Sequence, residues 1–104
     1  MKDDPLDRLE AVISSRKGSD PGASYVASLF DKGRAKIAQK VGEEAVETVI
    51  AAIADDRQAL VGETADLLFH LLILLADAGI PLGDVRAELA RREGVSGHDE
   101  KAAR

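Results

Sequence analysis

Two long stretches with helical periodicity, joined by a very short connection, constrain the fold of this chain more than any other feature. The first runs from Arg34 to about Ala54 and the second from Gln58 to Ala78, with a tight "DDR" turn between them. A connection this short makes the two helices antiparallel neighbours. Since no segment shows the alternating pattern of a strand, the sequence predicts an all-α fold.

Shorter helices are predicted before and after this pair, because capping residues and apolar residues recur there at helical spacing. They are expected at residues 5–15, at residues 25–30 after a cap at Ser24, and at residues 81–93. Together the segments predict a small helical bundle of about four to five helices. We expect the folded domain to span residues 1–94 and residues 95–104 to form a flexible tail.

The composition favours packed helices and a second subunit. The chain has 104 residues, of which 45% are hydrophobic but only 3% are aromatic, so the core must be built from Leu, Ile, Val and Ala. A domain of this size buries a modest fraction of its surface. We therefore expect a homo-oligomer in which a second subunit completes the core.

Charge and cysteine content exclude several kinds of partner. Fourteen Lys and Arg against 19 Asp and Glu give a net charge of −5, which disfavours nucleic-acid binding. The absence of cysteine excludes disulfides and thiolate metal sites and is compatible with a reducing cytoplasm. The N-terminus has no apolar signal core, and the apolar run at residues 67–76 is interrupted by His70 and too short to span a bilayer. A soluble, cytoplasmic protein without a membrane partner is predicted.

Carboxylates crowd into the first long helix, in the stretch "KVGEEAVETVIAAIADD". On a helical wheel, Glu44 falls in or beside the apolar stripe that contains Ile37, and Glu47 follows three residues later on the same side. Glu43 lies farther round, near Lys40. It is either a solvated surface residue or an additional member of the acidic set.

The second long helix is apolar around nearly its whole circumference, so it is expected to be buried. Its polar side chains lie on one line of the helix: Glu63, Asp66, His70 and Asp77. His70 is either a hydrogen-bonded core residue or a contact to a carboxylate or water of the site. Asp77 opposes the helix dipole, which indicates either a specific role or a solvated helix end.

Four of these carboxylates can face each other across the helix pair: Glu44, Glu47, Glu63 and Asp66. Unpaired buried charges are costly, and structural ion pairs would need buried basic residues that the second long helix does not contain. A cation must compensate, and carboxylate oxygens favour Mg²⁺ or Mn²⁺. Since such ions usually complete their shell with water and phosphate, a phosphate ester or anhydride is the predicted ligand.

The motif "EEAVE" followed by "ETAD" resembles the E-x-x-E…E-x-x-D signature of the all-α, MazG-like nucleotide pyrophosphohydrolase superfamily. The longer stretches "SYVASLFDKGRAKIAQKVGEEAVETVIAA" and "LVGETADLLFHLLILLADAGI" are similar to the phosphoribosyl-ATP pyrophosphohydrolase family. This likeness covers the chain from about Leu6 to Arg92.

The resemblance implies Mg²⁺-dependent hydrolysis of phosphoribosyl-ATP to phosphoribosyl-AMP and pyrophosphate, the second step of histidine biosynthesis, by a small helical homodimer. It also implies that the metal ligands are Glu44, Glu47, Glu63 and Asp66. Glu43 is a supplementary acid, and either it or Glu47 would act on the attacking water. In some organisms this activity is fused to a cyclohydrolase that resembles a module using zinc and cysteine. This chain of 104 residues has neither the length nor the cysteines for such a module. It is therefore expected to be a stand-alone pyrophosphohydrolase.

Basic residues near the start of the first long helix are candidates for phosphate binding. Lys40, one turn before Glu44, is the first choice. Lys32 and Arg34 are either phosphate ligands or solvated turn residues. The full set of candidate substrate-binding residues, including two from the matching family motif, is Lys40, Lys36, Arg34, Lys32, Ser24 and Tyr25. For Ser24 and Tyr25 the alternatives are helix capping and core packing.

Two other functions fit parts of the pattern. One is a MazG-like house-cleaning hydrolase of other nucleoside triphosphates. The other is a non-catalytic helical dimerisation module whose acids form ion pairs between chains, and it predicts no metal-dependent gain in melting temperature.

Overall fold

The computed structural model describes residues 4–94 and contains five α-helices within that range. They are α1 (Pro5–Ser15), α2 (Tyr25–Lys32), α3 (Arg34–Ile53), α4 (Arg57–Asp77) and α5 (Leu82–Arg91). The predicted all-α fold of four to five helices is confirmed. The predicted tail at residues 95–104 lies outside the described residues.

Side-chain caps fix where the first two helices begin. The Asp4 carboxylate accepts a hydrogen bond from the Leu6 amide at 2.8 Å, and Pro5 occupies the first turn of α1. The predicted cap at Ser24 is confirmed, because its hydroxyl oxygen accepts a bond from the Ala27 amide at 3.1 Å. Gly33, at φ 98°, separates α2 from α3 in a backbone conformation that side chains disfavour.

The turn between α3 and α4 determines how the two long helices meet. Asp55 takes the left-handed conformation at φ 56°, which aspartate tolerates better than most residues. Asp56 then caps α4, since its Oδ1 accepts a bond from the Ala59 amide at 3.0 Å. This cap makes α4 begin at Arg57, one residue earlier than the sequence predicts. The two helices form the most extensive packing contact of the described chain.

The hydrophobic core lies where α1 and α2 pack against the C-terminal half of α4 and the start of α3. Its buried residues are Ile13, Val26, Leu29, Ile37, Leu72 and Ile73. Leu6, Leu9, Phe30 and Phe69 pack against them. The carboxylate-bearing parts of α3 and α4 lie beyond this core.

The prediction that α4 is buried all round is wrong for the single chain. Val61 is 66% exposed and Leu68 is 41% exposed, because α1, α2 and α3 cover only part of the circumference of α4. On α3, four apolar side chains on one side of the helix are also exposed. We call these four residues the apolar face; it consists of Val46, Val49, Ile50 and Ile53.

Within residues 4–94, α4 is the one helix that is long and apolar enough to cross a membrane by length and composition. It carries Glu63 and Asp66 in its first half, and it packs against α1, α2 and α3. It is therefore the central helix of the described bundle.

Candidate active site

Three carboxylates from the two long helices converge, as the sequence predicts. One ligand atom each from Glu44, Glu63 and Asp66 lies within 4.8 Å of the others. Glu44 is held inward because it shares the α4-facing side of α3 with Ile37 and Ala51, and it is only 8% exposed. We call Glu44, Glu63 and Asp66 the acidic cluster.

No salt bridge within residues 4–94 pairs the acidic cluster with a lysine or an arginine. Glu44 Oε2 and Glu63 Oε2 are buried and have no hydrogen-bond partner within residues 4–94. Burial raises the pKa of Glu44, and the neighbouring Glu47 carboxyl raises it further by its hydrogen bond and its charge. Buried carboxylates in this state fit a cation, because a divalent ion would supply both the charge and the missing contacts.

Glu47 lies at the edge of the acidic cluster rather than within it. A hydrogen bond with Glu47 is the main cause that raises the pKa of Glu63, followed by burial and by the charges of Glu47, Glu44 and Asp66. Glu47 and Glu63 also line a surface cavity of about 300 Å³ between α3 and α4, together with Ile50. The arrangement therefore brings Glu47 to the site without making it one of the three closest ligands.

The structure separates Glu43 from these acids. Its carboxylate accepts hydrogen bonds from Gln39 Nε2 at 2.8 Å and from Lys40 Nζ at 3.2 Å. These two bonds, in that order, lower the pKa of Glu43, and the charges of Lys40 and Lys36 add to the effect. The solvated surface position that the sequence allowed for Glu43 is the one observed.

His70 connects the acidic cluster to Tyr25. Its ring is only 5% exposed, and Nδ1 lies 2.7 Å from the backbone carbonyl oxygen of Asp66. Nε2 lies 2.8 Å from the Tyr25 hydroxyl. The expectation of a hydrogen-bonded core histidine is confirmed. Its contact to Asp66 is to the backbone and not to the carboxylate.

The candidate phosphate-binding residues differ in how far they are already engaged. Lys40 bonds Glu43; this bond raises the pKa of Lys40, with smaller contributions from Tyr25 and Glu44. Arg34 Nε lies 2.5 Å from Asp77 Oδ2, and Nη2 donates to the Asp77 carbonyl at 3.2 Å. Asp77 is therefore compensated at the end of α4.

The remaining candidates are placed at the start of the long helix and before it. Lys32 is exposed in the last turn of α2, and Lys36 is partly buried, one turn before Lys40. The Ser24 hydroxyl oxygen accepts the hydrogen bond that caps α2. Tyr25 is 50% exposed and so is not a core residue.

Sequence reasoning missed two of these contacts, Arg34–Asp77 and Tyr25–His70. Each joins residues more than forty positions apart, at separations of 43 and 45. The position of Asp77 indicated that the first contact should exist, since an acid at a helix C-terminus needs a positively charged partner. The only signal for the second contact was the place of His70 on the same line of α4 as Asp66.

The fold and the site define a class of protein: a small all-α chain with a candidate divalent-metal site between two antiparallel helices. The family model for phosphoribosyl-ATP pyrophosphohydrolase matches residues 6–93. The chain belongs to this family.

Curated relatives are similar over nearly their whole length. A phosphoribosyl-ATP pyrophosphatase from Rhizorhabdus wittichii is 67% identical over 99 residues, which cover 95% of this chain and 93% of the relative. The enzyme of the same name from Novosphingobium aromaticivorans is 65% identical over 95% of this chain and 92% of its own length. The one from Zymomonas mobilis is 60% identical over 100% of this chain and 97% of its own length.

Proposed function

We propose that this chain hydrolyses phosphoribosyl-ATP to phosphoribosyl-AMP and pyrophosphate, the second step of histidine biosynthesis, as a soluble cytoplasmic enzyme that uses Mg²⁺ or Mn²⁺. The observation that carries the proposal is the convergence of Glu44, Glu63 and Asp66 in a chain that matches this family over residues 6–93.

The residues that would hold the metal are the acidic cluster together with Glu47. All offer oxygen ligands, and two buried carboxylate oxygens have no partner within residues 4–94. When bound, Mg²⁺ supplies the charge that neutralises phosphate oxygens during anhydride cleavage. The two helices supply the ligands from rigid positions, so little reorganisation is needed when substrate arrives.

Glu47 is the better candidate than Glu43 for orienting or deprotonating the attacking water. Its carboxyl reaches both Glu44 and Glu63, whereas Glu43 is held on the outer face by Gln39 and Lys40. A water beside Glu47 would lie next to the metal ligands, where its proton can pass to a carboxylate.

Lys40 and Lys36 are assigned to the substrate phosphates. Lys40 lies one turn before Glu44, and its ammonium group can exchange Glu43 for a phosphate oxygen. Arg34 and Lys32 supply positive charge at the start of α3, where the helix dipole also favours anions. The bond from Arg34 to Asp77 makes Arg34 the less available of the two for direct contact.

We also propose that the chain is a homodimer through the apolar face. Ile53 is 81% exposed, and Val46, Val49 and Ile50 on the same side of α3 are 59%, 55% and 60% exposed. Ile53→Asp should shift sedimentation velocity toward the monomer. Leu89→Asp is the control, since Leu89 is 61% exposed on α5, apart from the apolar face. Equal behaviour of the two variants would contradict the assignment.

Pyrophosphate release from phosphoribosyl-ATP, compared with ATP and other nucleoside triphosphates, tests the activity. We expect turnover of phosphoribosyl-ATP with Mg²⁺ and none with excess EDTA. Preferential turnover of the other triphosphates would assign the site to a house-cleaning hydrolase. No turnover of any substrate, with correct folding shown by circular dichroism, would favour a dimerisation module.

A further inference from the structure

One line of charged side chains on α3 leads from the start of the helix to the acidic cluster. Lys36, Lys40, Glu43 and Glu47 follow one another at helical spacing, which places them on the same side of α3. The charges of Lys36 and Lys40 both act on the Glu43 carboxyl, and Lys40 Nζ donates to Glu43 Oε1 at 3.2 Å. The line therefore has a basic end and an acidic end, and roughly 16 Å of helix axis separates Lys36 from Glu47.

The cavity between α3 and α4 lies at the other end of the acidic cluster, next to the turn that joins the two helices. Four of the residues that line it are small or aliphatic: Ile50, Ala51, Ala54 and Ala59. Its other lining residues are the carboxylates of Glu47, Asp56 and Glu63, so none of the described residues around the cavity is basic. A phosphate group in this cavity would meet negative charge without a basic partner, whereas an uncharged ring would meet apolar walls.

The two ends of the site match the two products of the proposed reaction. Cleavage of the anhydride beside the acidic cluster divides the substrate into pyrophosphate and phosphoribosyl-AMP. Pyrophosphate is a compact polyanion that calls for lysine or arginine in addition to the metal. The nucleoside part of the other product is mainly a purine ring and a ribose, and apolar walls accommodate these groups better than they accommodate phosphate.

We propose that the site binds its substrate in one direction, with the departing pyrophosphate on Lys40 and Lys36 and the nucleoside part in the cavity beside Ala54. The inference rests on the proposed function, because it assigns the parts of that substrate to the two ends of the same site. The opposite direction would place the phosphate of the phosphoribosyl group on the two lysines. The two directions differ in which product Lys36 binds, and this difference can be measured.

The test measures the dissociation constants of the two products separately, by isothermal titration calorimetry of the protein in Mg²⁺. Lys36→Gln should weaken pyrophosphate binding roughly 5- to 20-fold, as for the loss of a charge-assisted contact, and should change the binding of phosphoribosyl-AMP less than about 2-fold. Lys17→Gln is the matched control, because Lys17 lies on another part of the chain and donates to the Ala76 carbonyl at 2.6 Å. Glutamine keeps a donor for that carbonyl, and both dissociation constants should stay at the wild-type value.

A variant that fills the cavity should have the opposite effect. Ala54→Leu places a larger side chain in the cavity, so it should weaken the binding of phosphoribosyl-AMP roughly 5- to 50-fold and leave pyrophosphate binding unchanged. Ala87→Leu makes the same change at an exposed position of α5 and should alter neither constant. Thermal melts show whether each variant is folded, and Ala59→Leu provides the measurement if Ala54→Leu is not.

Three results would overturn the inference. Weaker binding of phosphoribosyl-AMP in Lys36→Gln, with pyrophosphate binding unchanged, would reverse the direction. Equal changes for the two products in either variant, including no change, would show that the two ends of the site do not separate them. The same holds if pyrophosphate fails to bind to the wild type.

Hydrolysis of phosphoribosyl-ATP by the wild type tests the proposed function separately. Hydrolysis without the opposite effects of Lys36→Gln and Ala54→Leu would overturn only the binding direction. No hydrolysis by a wild type that binds pyrophosphate would overturn the function, and the inference with it.

Discussion

Glu44 on α3 and Glu88 on α5 are both helical glutamates, but their surroundings have opposite effects. Glu88 accepts hydrogen bonds from Arg91 Nη2 at 2.7 Å and from Arg92 Nε at 2.9 Å, and these bonds lower its pKa to about 2. Glu44 is buried beside other carboxyls, and its pKa is raised. Within residues 4–94, the chain pairs Glu88 with two arginines, whereas Glu44 Oε2 has no hydrogen-bond partner.

This difference separates structural acids from functional ones. Both regions are rich in charge, and composition alone does not distinguish them. What distinguishes them is the partner: α5 places arginines three and four residues after its glutamate, whereas the carboxylates of Glu63 and Asp66 converge on Glu44 from α4. The uncompensated set is the one expected to respond to metal and substrate.

The largest expected effect is on turnover. Asp66→Asn and Glu47→Gln should keep the helical fold and lose activity by several orders of magnitude, because each removes a negatively charged oxygen ligand from the site. Pyrophosphate release under saturating Mg²⁺ measures the effect. Glu88→Gln is the matched control and should stay close to wild type. Near-wild-type activity in either site variant would show that the acids of the site matter no more for turnover than Glu88 does.

The second effect is metal-dependent stability. Mg²⁺ at 100 times its dissociation constant should stabilise the fold by about 2.7 kcal/mol, which corresponds to a rise in Tm of roughly 10–20 °C for a domain of this size. Differential scanning calorimetry with Mg²⁺ and with EDTA gives the difference. Glu88→Gln should retain the rise and Asp66→Asn should lose most of it. An Mg²⁺-independent Tm in the wild type would support the dimerisation module.

The third effect is a pH dependence of opposite sign in the two regions. Because the folded pKa values of Glu44 and Glu63 lie above their ordinary 4.5, the metal-free fold binds more protons than the unfolded chain above that pH. Stability should therefore fall as the pH rises from 4.5 through the raised pKa values of these two carboxyls. The contribution of Glu88 is instead present above pH 4.5 and is lost as the pH falls toward 2.

Thermal melts of metal-free protein from about pH 3 to about pH 8 separate these contributions, because the two regions bind their protons in different parts of this range. Glu44→Gln should flatten the decline above pH 4.5 and leave the acid side unchanged. Glu88→Gln should reduce the loss on the acid side only. A decline above pH 4.5 that is equally steep in Glu44→Gln would contradict the raised pKa of Glu44.

The sequence predicted the helices and the acidic cluster because both depend on local spacing. Apolar periodicity located the two long helices, and the three-residue spacing of Glu63 and Asp66 placed both on the side that faces α3. Glu44 could be assigned inward from its position relative to Ile37 alone. Local patterns determine which face of a helix a residue occupies.

Contacts between distant elements and the exposure of α4 were less predictable. The bond between Tyr25 and His70 depends on how α2 lies across α4, and helical periodicity carries no such information. The composition of α4 predicted burial on all sides, but a single chain has too few helices to surround it, and Val61 stays 66% exposed. Spacing describes one helix at a time, whereas burial depends on the whole assembly.

The smallest expected effect concerns Asp56, a carboxylate that lies near the site but has a structural role. It caps α4 through the Ala59 amide, so Asp56→Ala should cost about 1 kcal/mol of folding stability. Since the cap has its partner within the chain, the variant should keep the Mg²⁺-dependent rise in Tm that Asp66→Asn loses. Asp56→Asn retains a capping oxygen without the charge and is the matched control. Loss of the Mg²⁺ response in Asp56→Asn would show that the metal site also needs the Asp56 carboxylate. A hydrogen bond within the chain would then not be enough to mark a carboxylate as structural.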